Sequence, residues 1–436
     1  MATDASLNSA QPGEAAVKAK TSAAPALLIL ALAVTCGSAV QSAFSPVQEL
    51  TKLDMGMSDL QLSYAQGLAV ALPAVVLSIP LGWLVDHQTR LRLLIAMASL
   101  WTLGAFATVW APNFEVMMAA RMAASLGGTC VLPIAISMAA DLCRPEVRGR
   151  SLLLLTIGKA AGTALAFAIG GAVYGWLQAG DISLAGLVAW RGMHLIFALA
   201  SLALILPLFL LREPARREVG QKGAALGPSL AALWARRGFL APLFIGQISV
   251  IMADNAALTW SASVLSRNFD QTPDQFAGWL GGLLLGAGIL GAVIGGLASD
   301  LGHKRWPGKG ILLGAVICSV IAIPCALFPV MPTVFGFAAM LAVLLVAGTA
   351  TGLMTATSIA VLVPNEYRGL CLGAFVVVGV LFGFGVAPTV VTLLSQAMGG
   401  DGNLGMALAI IGGVSAVGAA IAFFISMLAA PKTAAG

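Results

Sequence analysis

Three ionisable side chains stand inside long apolar stretches of the sequence: Arg121, Lys159 and Asp254. A charged group at bilayer depth is costly unless it faces a wet cavity or a partner, so each is a candidate functional residue. Two cations against one carboxylate would make a cavity net positive, which attracts an anion and repels a cation of similar size. Asp254 is also the candidate proton carrier, because carboxyl groups in such settings can exchange a proton at the working pH.

Uncharged polar residues extend this candidate substrate site: Asn255 beside Asp254, together with Gln41 and Gln247. Each charged residue also has a purely structural interpretation. Lys159 can snorkel toward the headgroups, and Arg121 can form a structural ion pair with Asp254. Both interpretations stay open at this point.

Other chemistries lack the residues they need. The 3 histidines and 6 cysteines have no metal-binding or disulfide spacing, so we expect neither a metal nor a cofactor. A membrane enzyme would need a reactive constellation, and the sequence offers none. A channel would need a continuous pore with a filter, which duplicated helices rich in glycine do not suggest.

The composition identifies lipid as the solvent for most of the chain. Hydrophobic residues make up 59% of the 436 positions and charged residues 9%, against roughly 25% charged residues in soluble domains. Apolar runs of about 20 residues predict transmembrane helices. We place twelve spans at residues 25–45, 62–84, 92–111, 114–137, 151–177, 192–211, 240–264, 275–298, 309–329, 333–358, 370–396 and 404–429.

The positions of the basic residues set the expected orientation. With both termini in the cytoplasm, 18 of the 23 basic residues lie on the inner side, 3 on the outer side and 2 within spans. This is the positive-inside pattern of an inner-membrane protein of bacteria, and it accounts for the basic pI without nucleic-acid binding. Residues 1–24 are expected to be a disordered cytoplasmic tail, and residues 430–436 a second cytoplasmic tail.

Two pairs of loops repeat at nearly half the chain length. The loop after span 2 contains Gly82, Asp86 and Arg90, and the loop 214 residues later contains Asp300 followed by basic residues. The loop with Arg148 after span 4 recurs 220 residues later at Arg368. These offsets predict an all-α membrane protein with two parallel six-helix repeats. The bundles cover residues 25–211 and 238–429, joined by a central cytoplasmic loop at 212–237.

The loop residues resemble the hallmark of the major facilitator superfamily, in which Gly, an apolar pair, Asp and basic residues follow helices 2 and 8. The resemblance implies a monomeric secondary transporter that works by alternating access, with helices 1, 4, 7 and 10 lining the cavity. It also implies that helices 5 and 8, and 2 and 11, cross between the halves. The implied conformational latch consists of Gly82, Asp86, Arg90, Arg148, Asp300 and Arg368.

Shorter stretches resemble the Spinster-like branch, whose relatives export lysolipids or sphingolipids. They are Leu126–Leu142, Trp190–Arg191 and Leu211–Pro214. The branch's acidic residues in helices 1 and 4 are replaced here by Ser38 or Gln41 and by Gly128. The sequence therefore favours transport of a small organic anion coupled to protons, or to sodium. The alternative is proton-driven export of a lysolipid or an amphipathic drug.

Overall fold

The computed structural model describes residues 23–143, 145–215 and 233–431. All regular elements in these ranges are helices, and twelve of them are long and apolar enough to span a membrane. We number them helix 1 to helix 12. Ten are Ala23–Ser42 (1), Arg90–Val109 (3), Phe114–Leu142 (4), Pro145–Ala179 (5), Ala189–Ile205 (6), Arg237–Asn268 (7), Pro273–Arg305 (8), Gly310–Cys325 (9), Val334–Leu362 (10) and Leu404–Leu428 (12).

Helices 2 and 11 each contain a π-helical turn. Helix 2 consists of Asp59–Ser63, the π-helical turn Tyr64–Leu68 and Ala69–His87. Helix 11 consists of Asn365–Val380, the π-helical turn Leu381–Val386 and Ala387–Ala397. The two turns contact each other across the halves of the molecule. Such turns are rare and concentrate at functional sites.

Helices 1–6 and 7–12 form two bundles with matching internal contacts. Helix 1 packs on helices 4 and 5, and helix 7 packs on helices 10 and 11. The bundles meet along two pairs, helix 5 with helix 8 and helix 2 with helix 11. The predicted all-α fold with two six-helix halves is thereby confirmed.

Glycines permit the closest of these contacts. A Cβ atom at Gly162 in helix 5 would overlap the carbonyl oxygen of Thr35 in helix 1, and one at Gly67 would overlap that of Phe384 in helix 11. A Cβ at Gly281 in helix 8 would lie 2.6 Å from the Ala164 oxygen of helix 5. Missing side chains let the backbones approach, as is common in membrane bundles.

The two ends of the bundle differ. The twelve crossings return residues 23 and 431 to one end, which we call the terminal face; the other end is the opposite face. At the opposite face, Arg267 of helix 7 forms ion pairs with Glu49 at 2.9 Å and with Asp59 at 2.6 Å. Nearby, the side-chain amide of Gln48 donates to the Thr259 carbonyl at 2.6 Å. These contacts join the two halves and close the opposite face.

Several helices extend beyond the predicted spans. Helix 1 ends at Ser42, close to the predicted end at 45, and after a turn the chain continues as the 3-10 turn Ser45–Val47 and the short helix Gln48–Met55. Helix 8 continues to Arg305, and the residues after Asp300 are helical where a loop was expected. Hydropathy detects the membrane-buried part of a helix, whereas hydrogen bonding continues into polar sequence. The tails and most of the central loop (1–22, 216–232 and 432–436) lie outside the described residues.

Candidate functional site

A central cavity of about 220 Å³ lies between the halves. Helices 1, 2, 4 and 5 of the first half and helices 7, 8 and 11 of the second contribute to its wall. Its polar side chains in the described structure are Ser38, Gln41, Ser42, Ser45, Gln66, Arg121, Thr129, Lys159, Thr163 and Thr259. Both cations singled out from the sequence therefore line the cavity, and no described lining residue is acidic.

Lys159 stands on helix 5 with its side chain exposed to this cavity. The adjacent Gly158 packs against helix 1 at Ala31 and Thr35, which holds helix 5 against helix 1. One turn further, Thr163 receives a hydrogen bond from Ser42 of helix 1 at 3.3 Å. No described side chain forms an ion pair with Lys159, so its ammonium group is available to a solute.

Arg121 is buried, with 3% of its surface exposed. Its guanidinium group donates to the Ala65 carbonyl at 3.3 Å, the Gln41 carbonyl at 3.1 Å and the Gln66 side-chain oxygen at 3.2 Å. Its central carbon lies 4.6 Å from the centre of the Phe44 ring. All of these partners are neutral, so they orient the guanidinium without cancelling its charge.

Gln66 connects Arg121 to the interface between the halves. Its amide donates to the side-chain oxygens of Gln48 and of Ser45, the latter at 3.1 Å. Gln48 in turn donates to Thr259 of helix 7. No sequence pattern singles out Gln48, because a single polar residue near a span end is common in a membrane protein.

The structure corrects the expected position of the polar residues in helix 7. Asp254 is absent from the wall of the central cavity and lies against Gly348 of helix 10, where a Cβ atom would overlap its carboxylate. Asn255 donates back to the Ile251 carbonyl at 2.9 Å. Gln247 is buried, and its side-chain oxygen has no described partner. Because Gly348 has no side chain, the carboxylate of Asp254 can lie against helix 10.

Asp254 faces a separate, very small cavity of about 10 Å³ inside the second half. Ser319 of helix 9 and Thr351 of helix 10 also line it, and most of the remaining wall is apolar. Both hydroxyl groups donate to carbonyls of their own helices, at 2.8 Å and 2.7 Å. The structural ion pair between Arg121 and Asp254 is therefore not formed in this conformation.

The structure describes the side chains of only some of the candidate latch residues. The side chains of Asp86 and Arg148 lie outside the described part of the structure. Gly82 and Asp300 are exposed, and Arg368 donates to the Val363 carbonyl of its own half at 3.3 Å. The described contacts therefore show no latch between the halves at Arg368.

Arg90 instead joins three segments of the first half: the start of helix 3, the end of helix 4 and the chain after helix 6. It pairs with Asp141 at the end of helix 4, at 2.5 Å, and with Glu213 after helix 6, at 2.9 Å. It also donates to the Pro214 carbonyl at 2.9 Å. Sequence spacing could not reveal these partners, because they lie 51 and 123 residues away.

The chain is similar in sequence to a known transporter. One relative, the 3-(3-hydroxy-phenyl)propionate transporter of Escherichia coli (strain K12), is 26% identical over 255 residues, which are 58% of this chain and 57% of that protein. The chain therefore aligns with little more than half the length of this relative.

Solved structures share the fold. A bacterial homolog of the human lysosomal transporter Spinster, inward-facing and unoccupied, superposes with a TM-score of 0.80 at 19% identity over 94% of this chain and 97% of that one. A D-xylose-proton symporter superposes with a TM-score of 0.64 at 15% identity over 90% and 96%. The sequence profile of the Major Facilitator Superfamily matches residues 30–388. The chain belongs to the Major Facilitator Superfamily and is a multi-pass membrane transporter, not an enzyme.

Proposed function

We propose that this protein transports a small organic anion of the carboxylate type by alternating access. The observation that carries the proposal is the charge of the central cavity: Lys159 and Arg121 line it, and no described lining residue is acidic. In a cavity with walls of low dielectric, this unbalanced charge favours a negative solute.

Arg121 is prepared to receive a carboxylate. A guanidinium group has five N–H donors in a planar fork. In Arg121 the Nε, Nη1 and Nη2 atoms each donate one hydrogen bond to a described residue. Donors therefore remain for a solute. Because Phe44 and the Gln41 carbonyl already hold the group, little side-chain entropy is lost on binding.

The rest of the wall suits the apolar body of such an anion. Phe167, Leu258, Leu284, Val380 and Phe384 line the cavity beside the hydroxyl groups. The relative from Escherichia coli is named for 3-(3-hydroxy-phenyl)propionate, in which a hydroxyphenyl ring bears a side chain that ends in a carboxylate. The wall and the two cations together match that combination, which supports an aromatic or similarly apolar carboxylate as substrate.

Protons are the proposed coupling ion, with Asp254 as the carrier. Its carboxyl group lies in the second half, apart from the substrate cavity, and forms no described ion pair. An uncompensated carboxylate in apolar surroundings is costly, and a bound proton removes that cost. Coupling would then pass through the contact of helix 7 with helix 10 at Gly348. Sodium remains the alternative ion.

The proposed setting is a monomer in the bacterial inner membrane, with both termini cytoplasmic. The excess of basic residues at the terminal face supports that orientation. Under it, the closure at Arg267 faces the periplasm.

A second function, export of a lysolipid or an amphipathic drug, is favoured by the apolar wall of the cavity. Counterflow in proteoliposomes separates the two. Purified protein would be loaded with an aromatic carboxylate and challenged with carboxylates, their neutral amides, lysolipids and aromatic amines, with and without a pH gradient. We expect saturable exchange of carboxylates alone. Exchange of the amines or lysolipids without the carboxylates would overturn the anion assignment.

A further inference from the structure

A second groove, with a volume of about 550 Å³, lies at the terminal face. Trp306 and Pro307 follow helix 8, Lys309 directly precedes helix 9, Leu313 lies in the first turn of helix 9, and Met427 lies near the end of helix 12. None of these residues lines the transport cavity. The groove is therefore a separate feature, placed where helices 8, 9 and 12 end or begin.

Backbone contacts fix the walls of this groove. The backbones of Gly302 and Gly310 touch, since a Cβ atom on either residue would overlap the other. Gly308 has a φ of +83°, and a Cβ there would lie 2.6 Å from the Pro431 carbonyl oxygen. The turn between helices 8 and 9 is thus held against the chain that follows helix 12, which gives the groove a defined shape.

The mouth of the groove is basic while its walls are apolar. Lys309 lines it, and the guanidinium carbon of Arg305 lies 5.8 Å from the centre of the Trp306 ring. Neither cation takes part in the ion pairs found among the described residues. Leu313 and Met427 continue the wall away from these charges.

We propose that this groove binds one anionic phospholipid. The phosphate would sit between Lys309 and Arg305, and an acyl chain would lie against Leu313 and Met427. A Trp such as Trp306, 54% exposed, is typical of the headgroup region. Basic pockets at helix ends on the cytoplasmic side bind anionic headgroups. The choice of leaflet rests on the proposed orientation, whereas the site itself does not.

Native mass spectrometry of the full chain in detergent tests the site, with phosphatidylglycerol and phosphatidylcholine as probes. We expect phosphatidylglycerol to bind more tightly. Each basic residue near anionic lipid contributes about 1 kcal/mol, which is about 5-fold in affinity. Arg305→Gln combined with Lys309→Gln should therefore weaken phosphatidylglycerol binding by about 25-fold.

Two further variants distinguish the groove from general surface charge. Leu313→Trp keeps both cations but fills the groove, so it should also lose the preference for phosphatidylglycerol. The matched control is Arg237→Gln, which removes an Arg 5.7 Å from the Trp234 ring at the same face. Equal binding of both lipids, an equal loss in the Arg237→Gln control, or unchanged binding by Leu313→Trp would overturn the proposal. Carboxylate exchange by these variants reports separately on the proposed transport function.

Discussion

Replacing Arg267 by Gln should open the face that the structure shows closed. Arg267 of helix 7 makes four hydrogen bonds of 2.6 to 2.9 Å to Glu49 and Asp59 of the first half, two to each carboxylate. Its side chain is 17% exposed, and that of Asp59 is 1% exposed. The ion pairs are therefore mostly buried and lie across the boundary that must separate when this face opens.

The size of the effect follows from the burial of these groups. Removing one partner of a fully buried pair costs about 3–5 kcal/mol. Partial exposure and the ion pair that Asp59 keeps with Lys52, at 2.7 Å, reduce this to about 2–4 kcal/mol. The closed state should lose that much stability relative to the open one. At 1.4 kcal/mol per tenfold, the ratio of open to closed molecules should rise about 30- to 700-fold.

Alkylation of a cysteine behind the closure measures this ratio. Thr259 lines the cavity just inside the contact with Gln48, so Thr259→Cys should react slowly with an impermeant maleimide added at the opposite face. We expect Arg267→Gln to accelerate the reaction until the open state predominates, and Arg267→Lys to have a smaller effect, because Lys cannot bind two carboxylates in a planar fork.

Arg191→Gln is the matched control. Arg191 also lies at the opposite face, but its partners Asp54, Val109 and Ala111 all belong to its own half. Removing its charge should leave the labelling rate nearly unchanged. Equal rates in the Arg267→Gln variant and the unmodified protein, or equal acceleration by both variants, would refute the assignment of Arg267 to the closure.

Three other changes test separate parts of the account. Asp254→Asn should abolish the pH dependence of uptake while carboxylate binding persists. If the uptake rate of the variant still changes with pH as it does in the unmodified protein, Asp254 is excluded as the proton carrier. Gly162→Ala should lower the thermal unfolding temperature, because its Cβ overlaps helix 1, whereas Gly373→Ala, with open space around it, should not. Arg90→Gln should also lower that temperature, because it removes the buried ion pair with Asp141. It should leave the affinity for carboxylate within about twofold, which equilibrium binding would check.

The fold could be predicted from the sequence, because apolar runs mark the helices and a repeated loop marks the two halves. Apolar runs locate helices in lipid, where no alternative secondary structure satisfies the backbone. The end of helix 8 was misplaced, since polar residues such as Asp300 continue the helix beyond the apolar region. Polar composition alone does not reveal where a helix stops.

The site was predictable only in part, for reasons of side-chain direction. Depth in a span identified Lys159 and Arg121, and both line the cavity. Depth does not say which way a side chain turns, and Asp254 turns toward a glycine of helix 10 that lies 94 residues away in sequence. The partners of Arg90 and Arg267 likewise depend on contacts between distant segments.

Selection of a negatively charged solute by the cations of the cavity underlies the proposed function. It is tested most directly by the affinity of the purified protein for an aromatic carboxylate relative to its neutral amide, compared between the unmodified chain and Lys159→Met. Lys304→Met, which removes an exposed Lys at the terminal face, is the matched control. A hydrogen bond to a charged group contributes about 1.5–3 kcal/mol, so the preference for carboxylate should fall about 10- to 100-fold in Lys159→Met. It should not change in Lys304→Met. An undiminished preference in Lys159→Met, or a preference for the amide in the unmodified protein, would contradict the account.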